Sequence, residues 1–150
     1  MNNLEVIAAL QYNNGRLAKE EVLQIAWDNG NREFFIGAFQ CYNSFQTFGV
    51  LDVPESTTGG AGITFDQFFH LLRELSTRRL SGNTARDAIS NLMVRSKIDE
   101  WNNFYRPILT KDLRCGITET TINKVLKHIA KKDSEVKNYM IPVFACQLAL

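Results

Sequence analysis

The sequence has no apolar run near the roughly 18 residues needed to cross a bilayer, so no membrane-spanning helix is expected. Its first ten residues, "MNNLEVIAAL", contain no lysine or arginine, so no signal peptide is expected there either. Cysteine is scarce. Cys41, Cys115 and Cys146 are odd in number, far apart and free of any C-x-x-C pair, which argues against a disulfide framework and for reduced thiols in a cytoplasmic setting. The two histidines, His70 and His128, have no ligand-spaced partners, which disfavours zinc. G-x-G-x-x-G, the P-loop, G-x-S-x-G and H-E-x-x-H are all missing, and no carboxylate pair has an evident catalytic role.

What remains is an ordinary globular composition. The 150 residues, 45% hydrophobic and 22% charged, suffice for one domain with a sizeable core. The net charge of +1 hides an asymmetry. Residues 1–70 hold three cations against eight acids, net −5, and residues 71–150 hold fourteen against eight, net +6. Such a division fits a surface that faces a polyanion, and equally a chance split in a neutral protein.

Helical periodicity dominates. Segment 4–10 reads as a short opening helix, and 17–30 as a second one with Val22, Ile25 and Ala26 on one face and a stop at Asn29–Gly30. In 32–45, Phe35, Ala38, Phe39 and Tyr42 fall on one stripe, which reads as core. Segment 64–80 carries Phe65, Phe68, Phe69, Leu72 and Leu75 on one face, with Glu74 four residues before Arg78 and His70 on the solvated side. A helix over 83–96 opens with Thr84, and Thr84 with Asp87 matches a capping box. Pro107 kinks or splits 99–113. The helix over 118–132 buries Ile122, Val125, Leu126 and Ile129 and shows Lys124, Lys127 and Lys131 elsewhere. Pro54 and Gly59, Gly60 and Gly62 make 49–63 a flexible connection, and "IPVFACQLAL" (141–150) reads as a strand without a partner in the preceding chain. The fold class expected is all-α, a compact multi-helix domain of paired helical hairpins over 1–140.

Two turns resemble each other. "RRLSGNTARDA" (79 stands in second place of this pair of arginines, Arg78 and Arg79) and "KDLRCGITETT" each combine basic residues and a leucine with one glycine, Gly82 or Gly116, and then a threonine, Thr84 or Thr118. The glycines are 34 positions apart. The first amides of a helix lack intrahelical partners, the helix dipole makes that end positive, and glycine admits a phosphate to the backbone. Arg78, Arg79, Lys111 and Arg114 add attraction. The plainer alternative makes Gly82 and Gly116 simple helix-end glycines, and the pattern alone favours it.

"TRRLSGNTA" and "KDLRCGITETTINKV" together resemble the N-terminal DNA-binding domain of ATP-dependent DNA ligases, particularly of the phage type. Thr77, Arg78, Leu80, Ser81, Gly82, Asn83 and Ala85 match the first motif; Asp112, Leu113, Cys115, Gly116, Asn123, Lys124 and Val125 match the second. The tail "PVFACQLA" is similar to the strand leading into the catalytic K-x-D-G motif of a nucleotidyltransferase domain. These matches span roughly 64–150; residues 1–60 agree only in helical character. No lysine here is followed by x-D-G, so catalysis is not expected of this chain alone.

The resemblance implies a monomeric, sequence-independent clamp on the minor groove of double-stranded or nicked DNA. It implies ATP and magnesium as cofactors of the complete enzyme only, with nucleotidyltransferase and OB-fold domains as partners and residues 141–150 as the start of the former. The expected DNA-binding residues are Arg78, Arg79, Ser81, Gly82, Asn83 and Thr84 in the first turn, and Lys111, Arg114, Gly116 and Thr118 in the second. Lys124 and Lys127 are further candidates, while Arg86, Arg95 and Lys97 read as solvated. A helical protein-interaction module without DNA binding is the rival reading, motivated by the acidic first half and the aromatic stripe.

Overall fold

The computed structural model describes residues 1–50 and 52–143. Among them all regular structure is helical: α1 (Asn3–Tyr12), α2 (Arg16–Asp28), α3 (Arg32–Tyr42), α4 (Phe65–Ser76), α5 (Gly82–Arg95), α6 (Ile98–Glu100), a π turn (Trp101–Tyr105), α7 (Arg106–Leu109), α8 (Glu119–Ile129) and a 3₁₀ helix (Ser134–Tyr139). No helix among the described residues is long and apolar enough to cross a membrane. The all-α class is as expected. Residues 141–143 have no regular structure, and the rest of the expected strand lies outside the described residues.

One apolar core joins the helices. Phe34, Phe35, Phe68, Leu72, Leu75, Trp101, Phe104, Ile108, Ile122 and Leu126 are fully or almost fully buried. The aromatic stripe of α3 is spent here: Phe35 and Ala38 are buried, and Phe39 and Tyr42 pack against the cluster. Gly37 lets α3 approach α7, since a Cβ there would lie 2.9 Å from Ile108 Cδ1. In α2 the buried face is Val22, Leu23, Ala26 and Trp27, and Ile25 turns to solvent, against expectation. That face is turned toward Leu23 and Trp27, and Trp27 packs edge-on against Phe35.

Pro107 neither breaks nor ends the helical path. It follows a π turn, whose wider hydrogen-bonding pattern absorbs the missing N–H. This turn, with Arg106 just after it, holds residues 53–56. Trp101 Nε1 donates to the Pro54 carbonyl (3.0 Å), Arg106 Nε to that of Val53 (2.7 Å), and Asn102 bonds both backbone groups of Ser56. The glycines that follow are there for close approach. Gly60 and Gly62 amides donate to the carbonyls of Ser96 and Arg95 at the end of α5, and a Cβ on Gly60 would lie 2.4 Å from the Arg95 oxygen. The expectation of a flexible connection over 49–63 is thereby corrected: backbone packing, rather than freedom, explains these glycines.

The candidate nucleic-acid interface

The first turn links α4 to α5. Thr77 ends α4, and Arg78 follows in the left-handed region with φ +62°. Its amide donates to the Leu75 carbonyl and that of Leu80 to Glu74, so the last helical carbonyls are satisfied. The Arg78 guanidinium bonds the Leu75 carbonyl (2.9 Å) and the Thr47 hydroxyl (2.6 Å). It does not pair with Glu74, which faces Arg79 (3.9 Å) and His70 (3.6 Å) instead. With its guanidinium engaged by the Leu75 carbonyl and the Thr47 hydroxyl, Arg78 does not form the expected i, i+4 pair with Glu74.

Helix α5 begins earlier than expected. Ser81 is its N-cap and Gly82 its first residue, with φ +55°. The capping partners are Ser81 and Thr84, not Thr84 and Asp87: the Thr84 hydroxyl donates to the Ser81 carbonyl (2.7 Å) and accepts from the Ser81 amide (3.4 Å). The reason is that Ser81, already extended, satisfies the cap one turn sooner. The amides of Gly82 and Asn83 meet no acceptor among the described residues. Space beside Gly82 is open, with nothing within 4 Å of a Cβ placed there. Arg79, Ser81, Gly82, Asn83 and Thr84 are all exposed.

The second turn repeats this plan with one residue more. Lys111 takes the left-handed position (φ +64°) after α7, and its amide and that of Asp112 bond the carbonyls of Ile108 and Pro107. Gly30 makes the same turn after α2, bonding Trp27, as a glycine ordinarily does. A lysine there is strained by about 1 kcal/mol or more, and its side chain offers a compensation. Nζ donates to the carbonyls of Asn43 (2.8 Å), Gln46 (2.6 Å) and Gln40 (3.3 Å) and lies 5.1 Å from the Phe48 ring. Partial burial holds its pKa below the usual lysine value. All three N–H donors of Lys111 are therefore spent inside the protein, which corrects its expected role as a phosphate donor.

Arg114 (φ +57°) and Gly116 (φ +73°) complete the second turn. Both are exposed, and so is Thr118, the N-cap of α8. The Arg114 amide is held by Asp112 Oδ1 (2.9 Å), and its carbonyl accepts from Gln11 (3.2 Å). Arg78, Lys111 and Arg114 are the only left-handed residues other than glycine among the described residues. All three belong to the cations singled out by the two sequence motifs.

The turns are neighbours because one loop touches both. Lys111 holds Asn43 and Gln46, while Arg78 holds Thr47 and packs over Gly49, where a Cβ would meet its Nη1 at 2.7 Å. Beyond Gly49 a groove of about 530 Å³ opens, lined by Gly49, Asp52, Gly82, Arg86, Ile89 and Ser90. Arg86, read as merely solvated, is exposed, has no ion pair among the described residues and shares this groove with Gly82. Its i, i+4 spacing from Gly82 was the signal for it. Lys124 pairs with Glu20 (3.3 Å), whereas Lys127 is exposed. Asn123, a motif residue, serves the fold: its amide bonds both backbone groups of Ile141, at 2.8 and 2.9 Å.

No group of three His, Cys, Asp or Glu side chains converges to hold a metal among the described residues. Cys41 and Cys115 are buried free thiols. Burial pushes both pKa values up, that of Cys115 to about 11, so neither is poised as a nucleophile.

No protein-family model matches the chain, and no curated protein does. Solved structures do. Two of them, named Pmar-Lig_PreS3 and Pmar-Lig_Pre, are each 38% identical to it with a TM-score of 0.85 over 95% of its length. The chain covers 32% and 31% of those chains, about a third of their length. Along nearly all of its own length, this helical domain is thus similar to one part of ligase-named proteins.

Proposed function

We propose that this chain binds the backbone of double-stranded DNA through its two basic turns. In this reading it is the helical clamp that holds nicked DNA for sealing by an ATP-dependent DNA ligase. The observation that carries the reading is the pairing of the turns through one loop. Each offers an exposed glycine corner, and exposed cations, Arg79, Arg86 and Arg114, stand beside them. The likeness to ligase-named structures supports it as well.

Exposed helix-start amides and guanidinium groups bind phosphate oxygens by charge-assisted hydrogen bonds, with no contact to base edges. Such binding is independent of sequence, which suits a nick that can lie anywhere. By keeping both ends aligned, a clamp makes the joining of a 5′-phosphate to a 3′-hydroxyl effectively intramolecular. ATP and magnesium would serve the nucleotidyltransferase and OB-fold domains of the complete enzyme. The residues described here do not fit them, since there is neither a K-x-D-G lysine nor a metal-ligand cluster. Residues 141–150 would lead toward the first of those domains, and the host cytoplasm would be the compartment.

The test is duplex binding by gel shift and anisotropy, with nicked and intact DNA at moderate salt. Binding at micromolar protein with little sequence preference is expected, and no binding to either duplex contradicts the reading.

A further inference from the structure

The acidic first half of the chain contains only three cations, Arg16, Lys19 and Arg32, and two of them lie at the corner between α1 and α2. This corner is fastened to the second basic turn. Lys19 Nζ donates to the Cys115 carbonyl (2.9 Å) and to the Leu10 carbonyl, and Gln11 Nε2 donates to the Arg114 carbonyl (3.2 Å). Lys19 also fills the space behind Gly116, where a Cβ would lie 2.9 Å from its Nζ. A polar groove of about 230 Å³ opens alongside, lined by Gln11, Asn102, Asn103, Glu55 and Arg114 among others.

The same corner exposes two large apolar side chains. Tyr12 is 87% exposed and Leu17 73%, the two most exposed of the large hydrophobic residues described. They flank Asn13, Asn14 and Gly15, and the Arg16 side chain next to Leu17, 3.6 Å from the Glu20 carboxylate, is itself 72% exposed. Neither side chain contributes to the core. An aromatic ring with a polar tip, an aliphatic side chain and a guanidinium in one short stretch match the chemistry of a deoxyribose-phosphate strand, which presents apolar sugar faces between charged phosphates.

We infer that the α1–α2 corner is a third contact with the same DNA duplex, with Tyr12 and Leu17 packing on sugars and Arg16 on a phosphate next to those held by Arg114. The inference rests on the DNA reading and adds to it a surface that neither motif covers. Continuity with the second turn, through Gln11 and Lys19, selects this occupant over a protein partner.

The experiment compares the intact chain with Tyr12→Ala/Leu17→Ser, Arg16→Ala and Arg79→Ala/Arg114→Ala, all at exposed positions, with thermal melts to establish that each is folded. Duplex affinity is measured by anisotropy across a salt series. Tyr12→Ala/Leu17→Ser is expected to bind roughly five- to tenfold more weakly at every salt concentration with an unchanged salt slope, the mark of an apolar contact. Arg16→Ala should lower the slope by about 0.9. If both variants bind like the parent while Arg79→Ala/Arg114→Ala is weakened, the third contact is overturned and the clamp reading stands. If the parent itself binds no duplex, both fall together.

Discussion

Lys111 and Arg78, from two different turns, grip consecutive residues of one loop: Lys111 Nζ lies 2.6 Å from the Gln46 carbonyl and Arg78 Nη2 lies 2.6 Å from the Thr47 hydroxyl. The loop after α3 is therefore the spacer between the two glycine corners. Both cations adopt left-handed backbone conformations to reach it. This local strain is balanced by bonds that no glycine could make.

Lys111 should consequently matter for stability before it matters for binding. Lys111→Gly relieves the left-handed strain but abandons three carbonyls, so a net loss of about 1–3 kcal/mol is expected. Lys111→Ala keeps the strain and should lose about 1 kcal/mol more. Urea unfolding gives the order; a Lys111→Gly chain as stable as the parent would refute the spacer role.

The glycines should separate into two classes. Gly60→Ala drives a Cβ against backbone atoms of α5 and should destabilise by about 1–3 kcal/mol. Gly82→Ala meets open space and suffers only its positive φ, costing about 1 kcal/mol, while it crowds the corner where a phosphate would approach. Thermal melts paired with duplex titrations distinguish them: Gly82→Ala should lose binding out of proportion to its stability.

Alkaline pH should loosen the fold. The Cys115 thiol is held neutral by burial, with its pKa raised from 9.0 to about 11, and Cys41, Tyr42 and Tyr105 shift in the same direction. A group raised in the folded state stabilises in full below its unfolded pKa. That contribution fades as pH climbs toward the folded value, because the unfolded chain ionises first. For Cys115 the window is pH 9 to 11, at about 1.4 kcal/mol per unit. Lys111 opposes this, since deprotonation eases its burial, but it is one group against four. Urea midpoints that stay level from neutral pH to pH 10.5 would rule the effect out.

Arg86 gives a prediction at the groove beside Gly82. Arg86→Ala removes an exposed charge and should leave stability within about 0.5 kcal/mol. It should weaken duplex binding and flatten the salt slope by about 0.9. Unaltered binding would remove the groove from the interface.

Apolar periodicity made much of this legible in the sequence. The buried stripe of α8 stands where that spacing puts it, that of α4 does so with Leu71 buried and Phe69 only partly so, and Gly30 and Thr118 stand at the end of α2 and the start of α8. Side-chain reach was less legible. Nothing in "LTKDLR" says that Lys111 turns left-handed and crosses to the carbonyls after α3, about 70 residues earlier in the chain. Likewise "GGAG" reads as freedom unless the α5 backbone 2.4 Å from a virtual Cβ is known. The motifs marked both corners, whereas the loop over 43–49 and the Lys19 bracket behind Gly116 depend on contacts distant in sequence.

The most direct test of the paired phosphate grip is the salt dependence of duplex affinity, measured from about 50 to 200 mM salt for the parent and for Arg79→Ala/Arg114→Ala. Three neutralised phosphates, one each at Arg79, Arg86 and Arg114, predict a slope near −2.7 for log K against log salt, falling by about 1.8 in the double variant. A parent whose affinity ignores salt, or a double variant with the parent's slope, would contradict it.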